Sequence, residues 1–368
     1  MKSRVVVAMS GGVDSSVVAA LLVGEGYDVI GLTIKTYRYE DVGGNAGNES
    51  SCCSLDGIQD ARSVASALGI PHYILDFSEA FGARVIDDFA AEYLRGRTPN
   101  PCVICNRTIK WEELLRKADA LGASRIATGH YARVRQDPAT GRYVVSRGAD
   151  AAKDQSYALW ALTQESLART MFPLGGMTKA EVRDRAAAFG LRVASKGESY
   201  EICFIPDDDY GRFLKERDPD LARRVDGGDL VMDGRVVGTH RGYPFYTIGQ
   251  RRGLGIASDR PLYVTGIDPA RNRIEIGPQE ALLHRGLTAR SVNMVKYAGC
   301  TPPRAVNARI RYRDAGGEAV AADGGPGTLR VTFREPRRAI TPGQSVVLYE
   351  GDDVVGGGII DAIVDAPE

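Results

Sequence analysis

The sequence has no G-x-x-x-x-G-K-[ST] stretch, the pattern that cradles a triphosphate for cleavage at its γ-phosphate, so that class of nucleotide machine is disfavoured. It has no excess of either charge, with 47 Lys and Arg against 47 Asp and Glu in 368 residues. A nucleic-acid partner would therefore meet a local basic face rather than a basic molecule. No apolar run approaches the roughly 20 residues needed to cross a bilayer, so no membrane partner is expected. The first apolar run, Val5–Met9, is too short for a secretory signal, and the chain reads as cytoplasmic. Thiols stay reduced in that compartment, so cysteines there are read first as catalytic, redox-active or metal-binding. No second C-x-x-C and no H-x3-5-H joins the one at Cys102–Cys105, which disfavours a structural zinc. There is no repeat of fixed period and no low-complexity tract. What remains is ordinary globular composition, 43% hydrophobic and 26% charged, at a length that suggests two or three domains.

The most informative stretch is Ser10-Gly11-Gly12-Val13-Asp14-Ser15-Ser16, directly after Val5-Val6-Val7-Ala8-Met9. Five apolar residues, mostly β-branched, suit a strand buried on both faces of a parallel sheet. Val17–Leu22 reads as a helix, so the glycines occupy a strand-to-helix turn. Two glycines let the backbone approach a bound group closely, and the helix start supplies amides and the positive dipole end to an anion. A tight turn with a capping serine explains a lone Gly-Gly equally well. The full run S-G-G-x-D-S resembles the loop of ATP pyrophosphatases, which cleave ATP between the α- and β-phosphates and adenylate a substrate.

Strand-like and helix-like segments then alternate. Asp28–Ile34 is expected as a strand, Tyr37–Ser51 as a loop, Ile58–Leu68 as a helix and Pro71–Phe77 as a strand. Phe81–Leu94 and Ile109–Leu121 follow as helices and Arg125–Thr128 as a strand. This is the pattern of an α/β doubly wound parallel sheet. Tyr131–Arg135 and Arg142–Ser146 flank Asp137-Pro138-Ala139-Thr140-Gly141 and read as a hairpin. Gln155–Leu162 and Thr178–Phe189 read as helices, the second with Glu181 at capping-box spacing from Thr178. From about Pro206 short β-like runs alternate with Gly, Pro and Asp turns, which fits a small central domain and a C-terminal β-barrel. The expected boundaries are 1–205, 206–283 and 284–368.

Cys102-Val103-Ile104-Cys105 lies in Thr98-Pro99-Asn100-Pro101-Cys102-Val103-Ile104-Cys105-Asn106, read as an extended turn just before a helix. A helix N-terminus lowers a thiol pKa and favours thiolate. Two buried core cysteines, a redox pair, a sulfur-carrying nucleophile and partial iron–sulfur ligation all remain open. Cys203 in Glu201-Ile202-Cys203-Phe204-Ile205 reads equally as a core thiol, Cys300 reads as one, and Cys52-Cys53 carry no assignment. Gly129-His130 follows a strand end, where open α/β sheets place ligand contacts, although a lone His is more often structural. Lys153-Asp154-Gln155 reads as a capped helix start compatible with binding. Arg251-Arg252, Arg309/Arg311/Arg313 and Arg334/Arg337/Arg338 are the basic clusters. Such clusters are usually solvated faces; beside Tyr243, Tyr246 and Tyr312 they could track a phosphate backbone.

Together the segments resemble the bacterial tRNA-specific 2-thiouridylase family. The matching text is A-M-S-G-G-V-D-S-S at Ala8–Ser16, T-P-N-P-C-V-I-C-N-R-T-I-K-W at Thr98–Trp111 and A-T-G-H-Y-A-R at Ala127–Arg133. It continues with K-D-Q-S-Y at Lys153–Tyr157, E-I-C-F-I at Glu201–Ile205, T-I-G-Q-R-R-G-L-G-I at Thr247–Ile256 and P-G-Q at Pro342–Gln344. The resemblance implies an enzyme that adenylates the C2 oxygen of wobble uridine in tRNA with ATP and Mg²⁺, then replaces AMP by sulfur. It implies ATP contacts at Ala8, Met9, Ser10, Gly11, Gly12, Val13, Asp14 and Ser15, with Ile34 on the adenine side and Gly129 also at the nucleotide. It implies tRNA contacts at Asn100, Pro101, Cys102, His130, Lys153, Asp154, Gln155, Arg311, Tyr312 and Gln344. Cys105 would be the nucleophile and Cys203 the persulfide carrier, with a Cys105–Cys203 disulfide during turnover. A cysteine desulfurase or a sulfur-relay protein would supply the sulfur. Some family members carry Asp where this chain has Cys102, so Cys102, Cys105 and Cys203 could instead hold a [4Fe–4S] cluster that delivers sulfide. The family's D-S appears here as Glu198-Ser199. Another ATP pyrophosphatase forming an amide, or an RNA-binding module with a vestigial loop, are the competing readings.

Overall fold

A computed structural model of the chain describes residues 2–37, 55–197, 202–205 and 207–364. Cys52-Cys53, Glu198-Ser199 and Glu201 lie outside the described residues. The first strands in chain order are β1 (Arg4–Ala8), β2 (Asp28–Lys35), β3 (His72–Asp76) and β4 (Arg125–Ala127). The hairpin β5 (Ala132–Gln136) and β6 (Tyr143–Arg147) comes next, then the two-residue β7 (Thr170–Met171). Five of these form a sheet in the order β3-β2-β1-β4-β7, parallel throughout.

Val5, Val6 and Val7 are fully buried because both faces of β1 are covered. Val5 and Val7 pack with Val17, Val18 and Leu22 of α1 (Val13–Gly24) and with Ala61 and Val64 of α2 (Leu55–Ala67). Val6 packs on the opposite side with Leu114, Leu115 and Ala118. Alternating side chains thus enter two different cores, as strand geometry requires. The sheet is the α/β doubly wound arrangement that the β-α alternation implies.

A second sheet holds β8 (Gly228–Met232), β9 (Arg235–His240), β10 (Tyr263–Asp268) and β11 (Arg273–Gly277) in the order β10-β11-β8-β9. The remaining strands are β12 (Leu283–Met294), β13 (Arg304–Arg309), β14 (Gly317–Asp323), β15 (Leu329–Arg338), β16 (Ser345–Glu350) and β17 (Asp353–Ile363). They run β12-β15-β14-β13-β16-β17, and β12 pairs with β17, so six strands close into a barrel. Closure removes the free sheet edges. The β5–β6 hairpin joins the outside of this barrel through Asp353 and Ser146, a link between distant parts of the chain.

Two local readings change. The cysteine-bearing turn is itself helical: helix starts at Pro101 and continues through a π-helical stretch, Asn106–Glu113, to Ala120. Proline suits the first helical position because its missing N–H has no partner there. Instead of a helix over 155–162 there is one 3-10 turn, Ser156–Leu159. Tyr157 and Trp160 are fully buried here and bond Ser345 at the start of β16, so docking to the barrel overrides local helix preference.

Candidate active site

The S-G-G-V-D-S run forms the turn between β1 and α1. Gly11 has φ of +74°, and a Cβ there would lie 2.0 Å from the Gly57 carbonyl oxygen of α2. Only glycine fits, for its backbone angle and for the contact. Gly12 caps α1 in an extended conformation, with φ of −88°. Its carbonyl accepts from the hydroxyls of Ser15 (3.2 Å) and Ser16 (2.8 Å), and the Ser10 amide donates to Ser15 Oγ at 3.2 Å. These hydroxyls fix the turn at the start of α1. Gly129, just past β4, packs against the loop so closely that a Cβ would come 3.0 Å from the Ser15 nitrogen. Ala8, Met9, Ser10, Gly11, Gly12, Val13, Asp14, Ser15 and Gly129 are therefore one local unit at the carboxyl end of the sheet, where open α/β folds bind ligands. Ile34, half-buried on β2, sits one strand over.

Two lysines converge on this loop. Lys179, at the start of the helix Lys179–Ala188, reaches Asp14 with Nζ 2.7 and 2.9 Å from the two carboxylate oxygens. Tyr131 donates its hydroxyl to the same carboxylate at 2.7 Å. Lys196 pairs with Asp60 at 2.5 Å and lies 3.4 Å from the Gly11 carbonyl. The loop mouth thus carries two carboxylates, two ammonium groups paired with them and the helix amides, a set suited to a polyphosphate with a divalent cation.

The cysteines occupy a second locus. Cys102 is exposed in the first turn of the 101–120 helix, and Cys105 is buried one turn on. Cys203 is half-buried and packs against the same apolar cluster as Cys105, with Phe89, Ile109 and Phe204. The fold therefore sets two thiols that are 98 positions apart in the sequence (203 − 105) against one large apolar cluster.

The turn before Cys102 is held from the barrel. Gln344 Nε2 donates to the carbonyls of Thr98 (3.0 Å) and Pro99 (3.1 Å), and the Thr98 amide donates to Pro342 at 2.9 Å. Asn100 is half-buried and Pro101 buried beneath this contact. Asp154 is buried and accepts from the amides of Gly148 and Ser156 and from the Ser156 hydroxyl. Gln155 exchanges two hydrogen bonds with the Tyr131 backbone. Lys153 is half-buried beside them. Tyr312, largely exposed on the barrel, donates to the Asp154 carbonyl at 3.0 Å, and Arg311 bonds the Arg338 carbonyl. His130 is half-buried between Trp111 and Phe172 and bonds Thr128 Oγ1 at 2.8 Å. Burial, and then the charge of Lys110, hold its pKa well below the usual 6.5, so it is a neutral hydrogen-bonding ring rather than a cation.

Comparison with known proteins agrees with this layout. Residues 3–207 match the family described as tRNA methyl transferase HUP domain. Residues 212–278 match the tRNA methyl transferase PRC-barrel domain, and 284–360 the aminomethyltransferase β-barrel domain. The chain is 57% identical over 361 residues to the tRNA-specific 2-thiouridylase MnmA of Salinibacter ruber, covering 98% of this chain and 94% of that one. The chain belongs to the tRNA-specific 2-thiouridylase family. The family's Heliobacterium modesticaldum enzyme is 56% identical over 98% of this chain and 93% of its own. Among solved structures, a 4-thiouridine synthetase–RNA complex with bound ATP is similar at TM-score 0.38 and 16% identity, over 59% of this chain and 51% of that chain. That likeness is too distant to bear on function.

For a member of the 2-thiouridylase family, some residues read as surface groups turn out to be framework. Tyr243 and Tyr246 are buried and bond backbone carbonyls, so they offer no stacking face. Arg309 and Arg337 are engaged by Asp154 and Asp314, whereas Arg334 and its partner Glu318 stay exposed on the surface. Arg251 and Arg252 are exposed. Lys179, Lys196 and Tyr131 were not legible as site residues, because a single lysine in a polar helix start carries no signal of its partner far away. The buried Glu92, which takes Arg95, Arg97 and Arg290 at 2.8–3.1 Å, was equally silent.

Proposed function

We propose that this chain is a tRNA 2-thiouridylase, a sulfurtransferase that uses ATP to exchange the C2 oxygen of wobble uridine for sulfur. The observation that carries the reading is the coexistence of an S-G-G-x-D-S loop at the carboxyl end of a parallel sheet with two thiols packed in one cluster. A uridine oxygen is a poor leaving group. Its attack on the α-phosphate of ATP expels pyrophosphate and leaves an adenylated base, from which AMP departs easily. The Gly11–Ser15 loop amides offer the positive field that receives the developing pyrophosphate charge, and Lys179 and Lys196, which pair with Asp14 and Asp60 here, would turn to it when the nucleotide binds. Asp14 suits Mg²⁺, which is commonly held by one or two carboxylates together with substrate phosphates. That ion would neutralise charge on the departing pyrophosphate.

Sulfur arrives as a persulfide on Cys203, supplied by a cysteine desulfurase or a relay protein. Its terminal sulfur attacks C2 and AMP leaves. The Cys105 thiolate then attacks the Cys203 sulfur, leaving sulfur on the base and a Cys105–Cys203 disulfide that a thiol reductant reopens. The sequence also allows Cys102, Cys105 and Cys203 to hold a [4Fe–4S] cluster. Among the described residues no three Cys, His, Asp or Glu side chains are gathered to hold a metal, so these steps are derived for thiols alone. Transfer RNA is the macromolecular partner. Arg311, Tyr312 and the exposed Arg251-Arg252 present a surface for it, and we assign contact with the target base to Asn100, Pro101 and Cys102. We assign nucleotide chemistry to 1–205 and tRNA contact to 206–283 and 284–368. No described helix is long and apolar enough to cross a membrane.

Release of AMP and pyrophosphate tests the activation step. It is expected only when tRNA bearing an unmodified wobble uridine is present. Release without tRNA but with an amine donor would assign the chain to the amide-forming synthetases. No release at all would leave an RNA-binding module.

A further inference from the structure

We infer that Gln344 is a positioning residue for the sulfur-transfer helix, acting as a latch between the barrel and the turn that carries Cys102 and Cys105. The inference rests on the proposed role of Cys105, and it assigns Gln344 a different task from contact with RNA.

Several independent contacts place the latch. Both Nε2 hydrogens of Gln344 are used, one by the Thr98 carbonyl at 3.0 Å and one by the Pro99 carbonyl at 3.1 Å. A side-chain amide has only two donors, so none is left for a phosphate or a base. Its neighbour Gly343 adopts φ of +93°, and a Cβ there would lie 2.8 Å from the Thr98 oxygen and 2.9 Å from the Thr98 nitrogen. The P-G-Q turn therefore sits directly on the T-P-N-P turn, and glycine allows the approach. From the other side, the Thr98 amide donates to Pro342, and Arg97 reaches the Ile360 carbonyl at 2.8 Å and Asp361 at 3.1 Å. The latch is itself anchored in the barrel: the Gly343 amide donates to Ile360, and the Ile360 amide donates to Gln344.

The mechanical consequence follows from where these bonds fall. Thr98 and Pro99 lead through Asn100 into Pro101, the first residue of the 101–120 helix. Their carbonyls set the entry angle of that helix, and so the depth at which Cys105 is buried in the apolar cluster. A reacting group must be held within a fraction of an ångström of its productive position, and that demands a supporting shell. Here the support comes from a strand turn about 245 residues away in the chain. Motion of the barrel relative to the nucleotide-binding sheet is thereby transmitted to the thiol that completes sulfur transfer.

Two measurements test this. In Gln344→Met, which keeps the length and loses both donors, site-resolved iodoacetamide labelling of Cys105 should accelerate by about tenfold as the helix start loosens. In the same variant, 2-thiouridine formation should fall by about tenfold or more. Affinity for tRNA and pyrophosphate release should stay within about twofold of the parent. A drop in tRNA affinity with unchanged labelling of Cys105 would overturn the latch and return Gln344 to RNA contact. In the unmodified protein, amide hydrogen exchange needs no variant. The Thr98 amide should open with the Ile360 amide, as one unit with the barrel. A Thr98 amide exchanging as a free loop while Ile360 stays protected would equally overturn the proposal. Should the parent make no 2-thiouridine, the proposed function fails, yet labelling and exchange still report whether the latch exists.

Discussion

Replacing each glycine of the Gly11-Gly12 pair by alanine separates what the fold requires from what the ligand requires. At Gly11 an L-residue meets a left-handed backbone, which costs about 1–2 kcal/mol. Its Cβ would also lie 2.0 Å from the Gly57 oxygen and 2.6 Å from its carbon. Non-bonded carbon and oxygen settle at about 3.3 Å or more, so the loop or α2 must retreat by about 1 Å. A displacement of that size at a reacting centre costs about a hundredfold in rate. At Gly12, φ is −88° and the nearest atom to an added Cβ, outside its chain neighbours, is Ser10 Oγ at 3.5 Å. Alanine fits there, at under about 1 kcal/mol for a poorer helix cap. Gly11→Ala should therefore lose about a hundredfold in tRNA-dependent pyrophosphate release and also unfold earlier in urea. Gly12→Ala should lose under about 1 kcal/mol of stability in urea and weaken ATP binding, because the phosphates must approach that backbone. Parent-like pyrophosphate release from Gly11→Ala, or equal destabilisation of both variants, would refute the reasoning.

Glu92 is almost wholly buried under three arginines, one of them Arg290 of β12, so Glu92→Ala should lower stability in urea by about 3 kcal/mol. A loss under about 1 kcal/mol would place it with exposed pairs. His130 is held neutral in the fold but protonates near 6.5 when unfolded, so the unfolded state binds the extra proton as pH drops. Its contribution is present above that pH and is lost below it, at up to about 1.4 kcal/mol per pH unit. An imidazole resonance for His130 that titrates at about 6.5 would contradict this. Cys105→Ser and Cys203→Ser should each abolish 2-thiouridine while sparing pyrophosphate release. Iron-free protein supplied with a persulfide donor should still thiolate, whereas a strict need for iron would favour the cluster route.

Much of the nucleotide half was legible because its signals are local. Val5–Val7, the glycine pair and the serines act within a few residues of one another, so strand, turn and helix follow from their order. The D-P-A-T-G hairpin and the Thr178–Glu181 capping box are legible for the same reason. Features decided at long range were not. The 3-10 turn at Ser156–Leu159 replaces a helix because Tyr157 and Trp160 bury against Ser345, and no local pattern encodes that partner. β7 is two residues long and exists only as the neighbour of β4. Lys179 meets Asp14 across 165 positions, and Gln344 meets Thr98 across 246. The cysteine motif was legible as chemistry but misread as extended backbone, since Pro101 starts a helix as readily as it closes a turn.

The central claim is that one active site activates a uridine oxygen with ATP and replaces it with sulfur. Unmodified tRNA is incubated with the protein, ATP, Mg²⁺ and a persulfide donor, then digested to nucleosides and analysed by mass spectrometry. The account predicts 2-thiouridine at the wobble position, formed only with ATP and in step with AMP. ATP consumed with the wobble uridine unchanged, or a methylated uridine in its place, would contradict it.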